Sequence, residues 1–267
     1  MSDLMTSAAI AFDSIAAKYD AVFSESRIGM AQRRAVWRRL AKTFRPGDRI
    51  LELNCGTGED ARFLASFGAS VVAFDGSASM VERARIKCVG LEPRVRIDQL
   101  ANEQIGALPS SRKFDGVFSN FAGLNCVRDL RSFATALARL TRPSARVVIC
   151  VYGKYCLWEI LWYLCNGDVR KASRRFRPTS QARIGGHHFE VFYPSMRQWA
   201  VDLAPHFEIC SIEAIGLFVP PSYAESYALR FNGLLRKAEA LDRALSHLPV
   251  LRTVGDHTLL AFRRVES

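Results

Sequence analysis

A chain of 267 residues with 49% apolar side chains can bury one large core, and its 10% aromatic content excludes a disordered or low-complexity protein. No apolar run reaches the roughly 18 residues needed to cross a membrane as a helix. The opening stretch MSDLMTSAAIAFDSIAAKYD also lacks the basic start and long apolar run of a secretory signal, so a cytoplasmic protein is expected. The formal net charge of +11 leaves anionic partners open: nucleic acid, lipid headgroups or phosphorylated substrates.

In chain order, short apolar runs predict strands at 49–53 (RILEL), 70–74 (SVVAF), 94–98 (RVRID), 115–118 (DGVF) and 145–151 (ARVVICV). Helices are expected between them at 59–67, 78–88 and 129–141. In the last of these, Leu130, Phe133, Leu137 and Leu140 recur at helical spacing, and Thr141-Arg142-Pro143 stops it. Alternating strands and helices imply a parallel sheet covered on both faces. After residue 151 the rhythm breaks into the aromatic stretch YCLWEILWYLCNG, a basic stretch and a loop, RIGGHHFEVFYPS. A helix at 196–204, a long strand in HFEICSIEAIGLF, a helical region opened by PPSY and a closing strand HTLLAFRRV follow. The two late strands are expected to form an antiparallel pair at one sheet edge. Residues 152–195 read as an insertion over the carboxyl end of the sheet.

Cys55, Cys88, Cys126, Cys150, Cys156, Cys165 and Cys210 are odd in number and show no C-x-x-C spacing. Free, buried thiols in a reducing compartment are therefore expected, and no zinc site. Positive charge clusters at Arg33, Arg34, Arg38 and Arg39, and again at Arg170, Lys171, Arg174, Arg175 and Arg177. The plain reading of both clusters is a solvated basic face.

Chemistry concentrates in ILELNCGTGED, residues 50–60. A glycine turn between strand and helix lets a ligand approach the backbone, and the helix start beyond it offers free N–H groups. A dinucleotide fingerprint would place glycines at Asn54, Gly56 and Glu59, so two of three fail. Glu59 and Asp60 also put negative charge where a pyrophosphate would sit. Asp75 ends the second strand, where a carboxylate can accept both ribose hydroxyls. Glu52 and Asp75 thus describe a site for a ribose and a cation without phosphate, as in S-adenosylmethionine.

LELNCGTG resembles the first motif, E/D-x-G-x-G-x-G, of class I S-adenosylmethionine-dependent methyltransferases of the small-molecule type, with Asn54 in place of the first glycine. FDGSASMVERAR resembles the second motif, and FDSIAAKYD and FDGVFSNFAGLNCV resemble the N-terminal helix and the fourth strand with its loop. The resemblance spans residues 10–151. It implies a single α/β domain: a doubly wound, Rossmann-like, seven-stranded sheet, mostly parallel with an antiparallel last strand, and helices on both faces. Residues 10–151 would be the cofactor-binding core, 152–195 a lid, and 196–267 the closing strands with their helices. Glu52, Asn54, Cys55, Gly56, Thr57 and Gly58 would form the cofactor loop. Asp75 would hold the ribose, with Gly76, Ser77, Met80, Leu100 and Ala101 about the adenine, and Tyr19 and Asn120 at the methionine end.

Methyl transfer from a sulfonium is an in-line displacement that gains from alignment and water exclusion, so no conspicuous catalytic residue is required. A base is needed where the acceptor carries a proton. His187 and His188, beside Glu190 and Tyr193, are candidates for that role, though a surface loop is their plainer reading; Tyr193 also fits a strand end before an N-capping Ser195. Asn125 is a further candidate acceptor contact. Trp158 and Trp162, one turn apart, would line a greasy pocket as a lid or pack over the sheet edge. The expected acceptor is small or medium-sized and partly hydrophobic, methylated on oxygen or nitrogen, with an anionic group or a lipid surface met by the basic run. An RNA methyltransferase and a non-catalytic cofactor-binding protein are the alternatives. Against RNA, the basic residues lack interleaved stacking aromatics.

Overall fold

The computed structural model describes residues 6–230 and 232–266. Residues 1–5, which open the stretch read for a targeting signal, and Phe231, inside the helical region expected after PPSY, lie outside the described residues. The first half alternates as the apolar runs require. Strands β1 (Arg49–Leu53), β2 (Ser70–Asp75), β3 (Val95–Gln99), β4 (Phe114–Ser119) and β5 (Thr141–Tyr152) all pair in parallel. Helices α1 (Ser7–Tyr19) and α2 (Arg27–Thr43) precede β1, α3 (Glu59–Ser66) and α4 (Ala78–Lys87) flank β2, and α5 (Leu130–Leu140) precedes β5.

The second half adds α6 (Leu157–Cys165), the short α7 (Val169–Ala172), a hairpin of β6 (Thr179–Ile184) and β7 (His187–Phe192), then α8 (Met196–Leu203) and β8 (Phe207–Ile215). Helices α9 (Glu225–Arg230) and α10 (Asn232–Leu245) lead to β9 (His257–Arg264). The main sheet has seven strands in the order β3-β2-β1-β4-β5-β9-β8, and β9 runs antiparallel to both its neighbours. The expected fold and the antiparallel edge pair are thus both present.

Side chains that alternate along a strand feed two core layers. Ile50 packs with Val36, Leu40 and Phe44 under α2 and α3. Its neighbour Leu51 points the other way, to Phe133 and Leu137 of α5 and Trp199 of α8. The carboxyl-end tips of the parallel strands β1–β5 therefore meet on one edge of a sheet sealed on both faces.

One element differs from expectation. The segment read as a loop around Gly185-Gly186 is the β6–β7 hairpin. Both glycines adopt positive φ (55° and 87°), as a two-residue turn matched to strand twist demands. After α1 the chain makes a widened turn of π type over Asp20–Ser24. All seven cysteines are free, but Cys165 and Cys210 are exposed rather than buried. Among the described residues, no helix is long and apolar enough to cross a membrane.

Candidate functional site

Strand β1 leaves the sheet through three left-handed residues, Asn54 (φ 57°), Gly56 (φ 54°) and Gly58 (φ 80°). Asparagine is the side chain that tolerates this region best after glycine. Asn54 is accommodated because Gly123 leaves room for it: a Cβ at Gly123 would collide with the Asn54 side chain. The Ser119 hydroxyl donates to Asn54 Oδ1 at 3.1 Å. A Cβ on Gly56 would meet nothing nearer than Tyr19, at 4.0 Å, so this backbone faces open space. At Gly58 a Cβ would lie 3.0 Å from Ala84, so glycine there lets α3 pack on α4.

Asp75, at the tip of β2, accepts the Gly56 N–H at 2.9 Å on Oδ2 and the Ser77 N–H at 2.9 Å on Oδ1. Burial pushes its carboxyl above the usual range, and these backbone donors pull it back in part. Each oxygen keeps a lone pair for a further donor.

Helix α1 lies across this edge, tied by carboxylates. Asp13 Oδ1 accepts the Ser77 hydroxyl (2.7 Å) and the Ser79 N–H (2.8 Å). Asp20 accepts the Thr57 hydroxyl (2.5 Å) and Lys87 Nζ (2.8 Å). Behind α1, Phe12 packs on Phe189 of β7 with ring centres 5.9 Å apart. Between the helix and the strand tips lies a cavity of about 450 Å³.

One wall of the cavity is an ion pair held in a low-polarity setting. Arg33, 4% exposed, donates to Asp60. Asp60 also accepts Trp37 Nε1 at 2.6 Å and Asn120 Nδ2 at 2.9 Å. Burial disfavours the Arg33 charge, but Asp60 beside it outweighs that and keeps its pKa above the ordinary value. The guanidinium lies 4.9 Å from the Phe121 ring centre and 5.9 Å from that of Phe23. Phe121 (φ 45°) and Ala122 (φ 65°) are consecutive left-handed residues without a glycine, a strained turn at the tip of β4. Burial pushes the Tyr19 hydroxyl up to about 12.

Of the residues expected at a cofactor, Tyr19, Asn54, Cys55, Gly56 and Thr57 line the cavity from the α1 and β1 side. Asp75, Gly76, Met80, Ala101 and Asn120 line it from β2, α4 and the tips of β3 and β4. Glu52, Gly58, Ser77 and Leu100 do not line it. Glu52 points into the protein, 1% exposed, with Oε2 unpartnered; burial raises its carboxyl well above the usual range. Ser77 N-caps α4 and Leu100 packs in the core.

None of Asn125, Trp158, Trp162, His187, His188 and Tyr193 lines the cavity. Asn125 is spent on backbone, accepting from Tyr152 N (2.9 Å) and donating to Phe192 O (2.7 Å). Trp158 donates to Leu217 O, and Trp162 packs on Tyr223. His187 and His188 are exposed on the hairpin, and Tyr193 is buried, its hydroxyl accepting from Ser180. Conversely Phe12, Arg33, Phe121, Glu190 and Phe192 line the cavity and were not among the expected site residues. Arg33 had a signal: Gly29, Arg33, Val36 and Leu40 recur at helical spacing, which sets the arginine on the inward stripe of α2.

Residues 50–144 match a family model described as a methyltransferase domain. A demethylmenaquinone methyltransferase of Renibacterium salmoninarum is 32% identical over 141 residues, 52% of this chain and 55% of that one. The protein of the same name from Mycobacterium sp. strain KMS is 35% identical over 145 residues, 53% of this chain and 57% of its own. The chain thus matches little more than half the length of these curated relatives. Among solved structures, the DhpI–SAH complex aligns with a TM-score of 0.61 at 18% identity, covering 98% of this chain and 97% of that one. An S-adenosylmethionine dependent methyltransferase from Mesorhizobium loti aligns with a TM-score of 0.55 at 19% identity, covering 86% and 98%. At these identities the structural likeness establishes the fold.

Proposed function

We propose that this chain, whose residues 50–144 match a methyltransferase-domain model, binds S-adenosylmethionine in the cavity under α1 and transfers its methyl group to a small or medium-sized, partly hydrophobic acceptor. The observation that carries this reading is one continuous cavity. It joins the Asp75–Gly56 cradle to an aromatic end formed by Phe12, Tyr19, Phe121 and Phe192. Its volume of about 450 Å³ lies within the span typical of small-molecule sites.

The cofactor supplies a methyl group on a cationic sulfur. Asp75 takes the ribose hydroxyls on the lone pairs its backbone donors leave free. Gly76, Met80 and Ala101 flank the base. Glu59 and Asp60 line the same cavity, Asp60 paired with Arg33 and Glu59 with Arg62 and Lys87. Tyr19 and Phe12 exclude water from above, which strengthens every electrostatic contact within.

Among the described residues, no histidine lines the cavity. The site therefore fits an acceptor brought to reaction by alignment rather than by a neutral imidazole base. A ring compound suits the phenylalanine wall, and the relatives' name points to a quinone-type ring. The roof role expected of Trp158 and Trp162 falls instead to α1 and β7. RNA fits less well, because Arg34, Arg39, Arg174 and Arg175 pair with Glu239, Glu213 and Glu159 within the fold.

Calorimetry with S-adenosylmethionine and S-adenosylhomocysteine tests the binding step, with micromolar affinity expected for both. Transfer of labelled methyl groups to a panel of hydroxylated and aminated aromatic rings tests the chemistry. Absence of heat with either compound overturns the reading.

A further inference from the structure

We propose that helix α6 and the basic turns after it dock this protein on the surface of an anionic lipid bilayer. The helix is built the wrong way out for water. Its one carboxylate, Glu159, is 2% exposed and faces the protein. Its leucines face solvent: Leu157 is 44% exposed, Leu161 59% and Leu164 49%. Spaced by four and three residues, they form one continuous face.

The orientation is clamped. Glu159 accepts Arg174 Nε at 2.6 Å and Arg175 Nε at 2.9 Å, and Arg175 reaches on to Asp256 Oδ1 at 3.0 Å. Turning the leucines inward would strand Glu159 away from two arginines and leave a buried guanidinium beside Asp256. The apolar face therefore stays outside, where a contiguous patch of this kind marks a surface that is covered in use.

What covers it follows from the charge around it. From Lys154 to Arg177 the chain holds six basic residues against two acids. Both acids are engaged, Glu159 as above and Asp168 with Lys171 at 2.9 Å. Arg170 and Arg177 are exposed and form no ion pair among the described residues. Leucines inside a basic rim, with an exposed Tyr155 at the edge, complement an interface of acyl chains under anionic headgroups. Nine residues cannot cross a bilayer, so the helix lies on it.

The test uses the intact protein and sedimented vesicles of phosphatidylcholine with or without phosphatidylglycerol. Binding is expected to the anionic vesicles, weakening at about 0.5 M salt. It should fall at least about tenfold in Leu161→Glu/Leu164→Glu and also in Arg170→Glu/Arg177→Glu. All four positions are exposed, so thermal unfolding should stay unchanged and separate lost docking from lost fold. Failure of the unmutated protein to bind anionic vesicles overturns the proposal. So does light scattering that shows a dimer dispersed by the leucine variant, which would assign the face to a second copy of the chain. The assay contains no methyl donor, so its result is independent of the methyl-transfer reading.

Discussion

Asp13 and Ser77 are hydrogen-bonded at 2.7 Å across the gap between α1 and the N-terminus of α4. The same carboxylate oxygen holds the Ser79 N–H, so one side chain anchors the roof of the cavity to the loop after Asp75. Asp13→Ala is expected to loosen α1 and weaken S-adenosylhomocysteine binding by ~1 kcal/mol, about fivefold in Kd. Calorimetry measures this, and unchanged affinity would show that α1 is held without Asp13.

Asp75 is half-buried at the cavity and holds two backbone donors, and the proposal gives it the ribose. Asp75→Ala should cost ~1–3 kcal/mol of cofactor binding, the usual penalty for removing a buried hydrogen-bond acceptor. A control at Asp98, half-exposed on β3 and paired with Arg96, should bind normally. Equal losses at both positions would remove Asp75 from the site.

The Arg33–Asp60 pair leaves each side chain 5% exposed. Arg33→Ala would strand a buried carboxylate, and urea unfolding should report a loss of ~3–5 kcal/mol. Replacing both partners together, as Arg33→Met with Asp60→Leu, should cost less than Arg33→Ala alone. A double replacement that costs the full sum would show that the two charges are not coupled.

His257 is buried against Tyr152, Phe121 and Asp256, with the charges of Arg175 and Glu159 also acting on it, and burial lowers its pKa from 6.5 to about 4 despite the pull of Asp256. Between those pH values the unfolded chain binds a proton that the folded chain refuses. Stability is therefore complete above pH 6.5 and drains away as pH falls toward 4, by up to about 3 kcal/mol. His257→Phe should flatten that part of the curve in a series of chemical denaturations. An unaltered slope would mean that other groups carry the acid sensitivity.

The parallel strands and their helices were legible because each repeats a local pattern: RILEL and SVVAF are apolar runs, and α5 carries leucines at helical spacing. Asp75 was legible because a carboxylate closing an apolar run has few structural excuses. The hairpin at Gly185-Gly186 carried its own signal, a paired-glycine turn between alternating strands, but the histidines beside it drew attention as chemistry. Trp158 and Trp162 fit either a pocket lid or packing over the sheet edge, because an apolar helix must be covered. Apolarity alone did not say that Glu159 would turn the helix outward.

Sequence alone determined the order of elements, the left-handed glycine turn and the acid at the second strand tip, since these depend on backbone sterics and on neighbours a few residues apart. Tertiary structure decided which charges are buried and which walls enclose the cavity. Arg33 meets Asp60 across 27 positions, and Arg175 meets Asp256 across 81. Whether a charged side chain lies in water or against an opposite charge depends on partners that only folding brings together, and that choice outweighs any local preference of the residue itself.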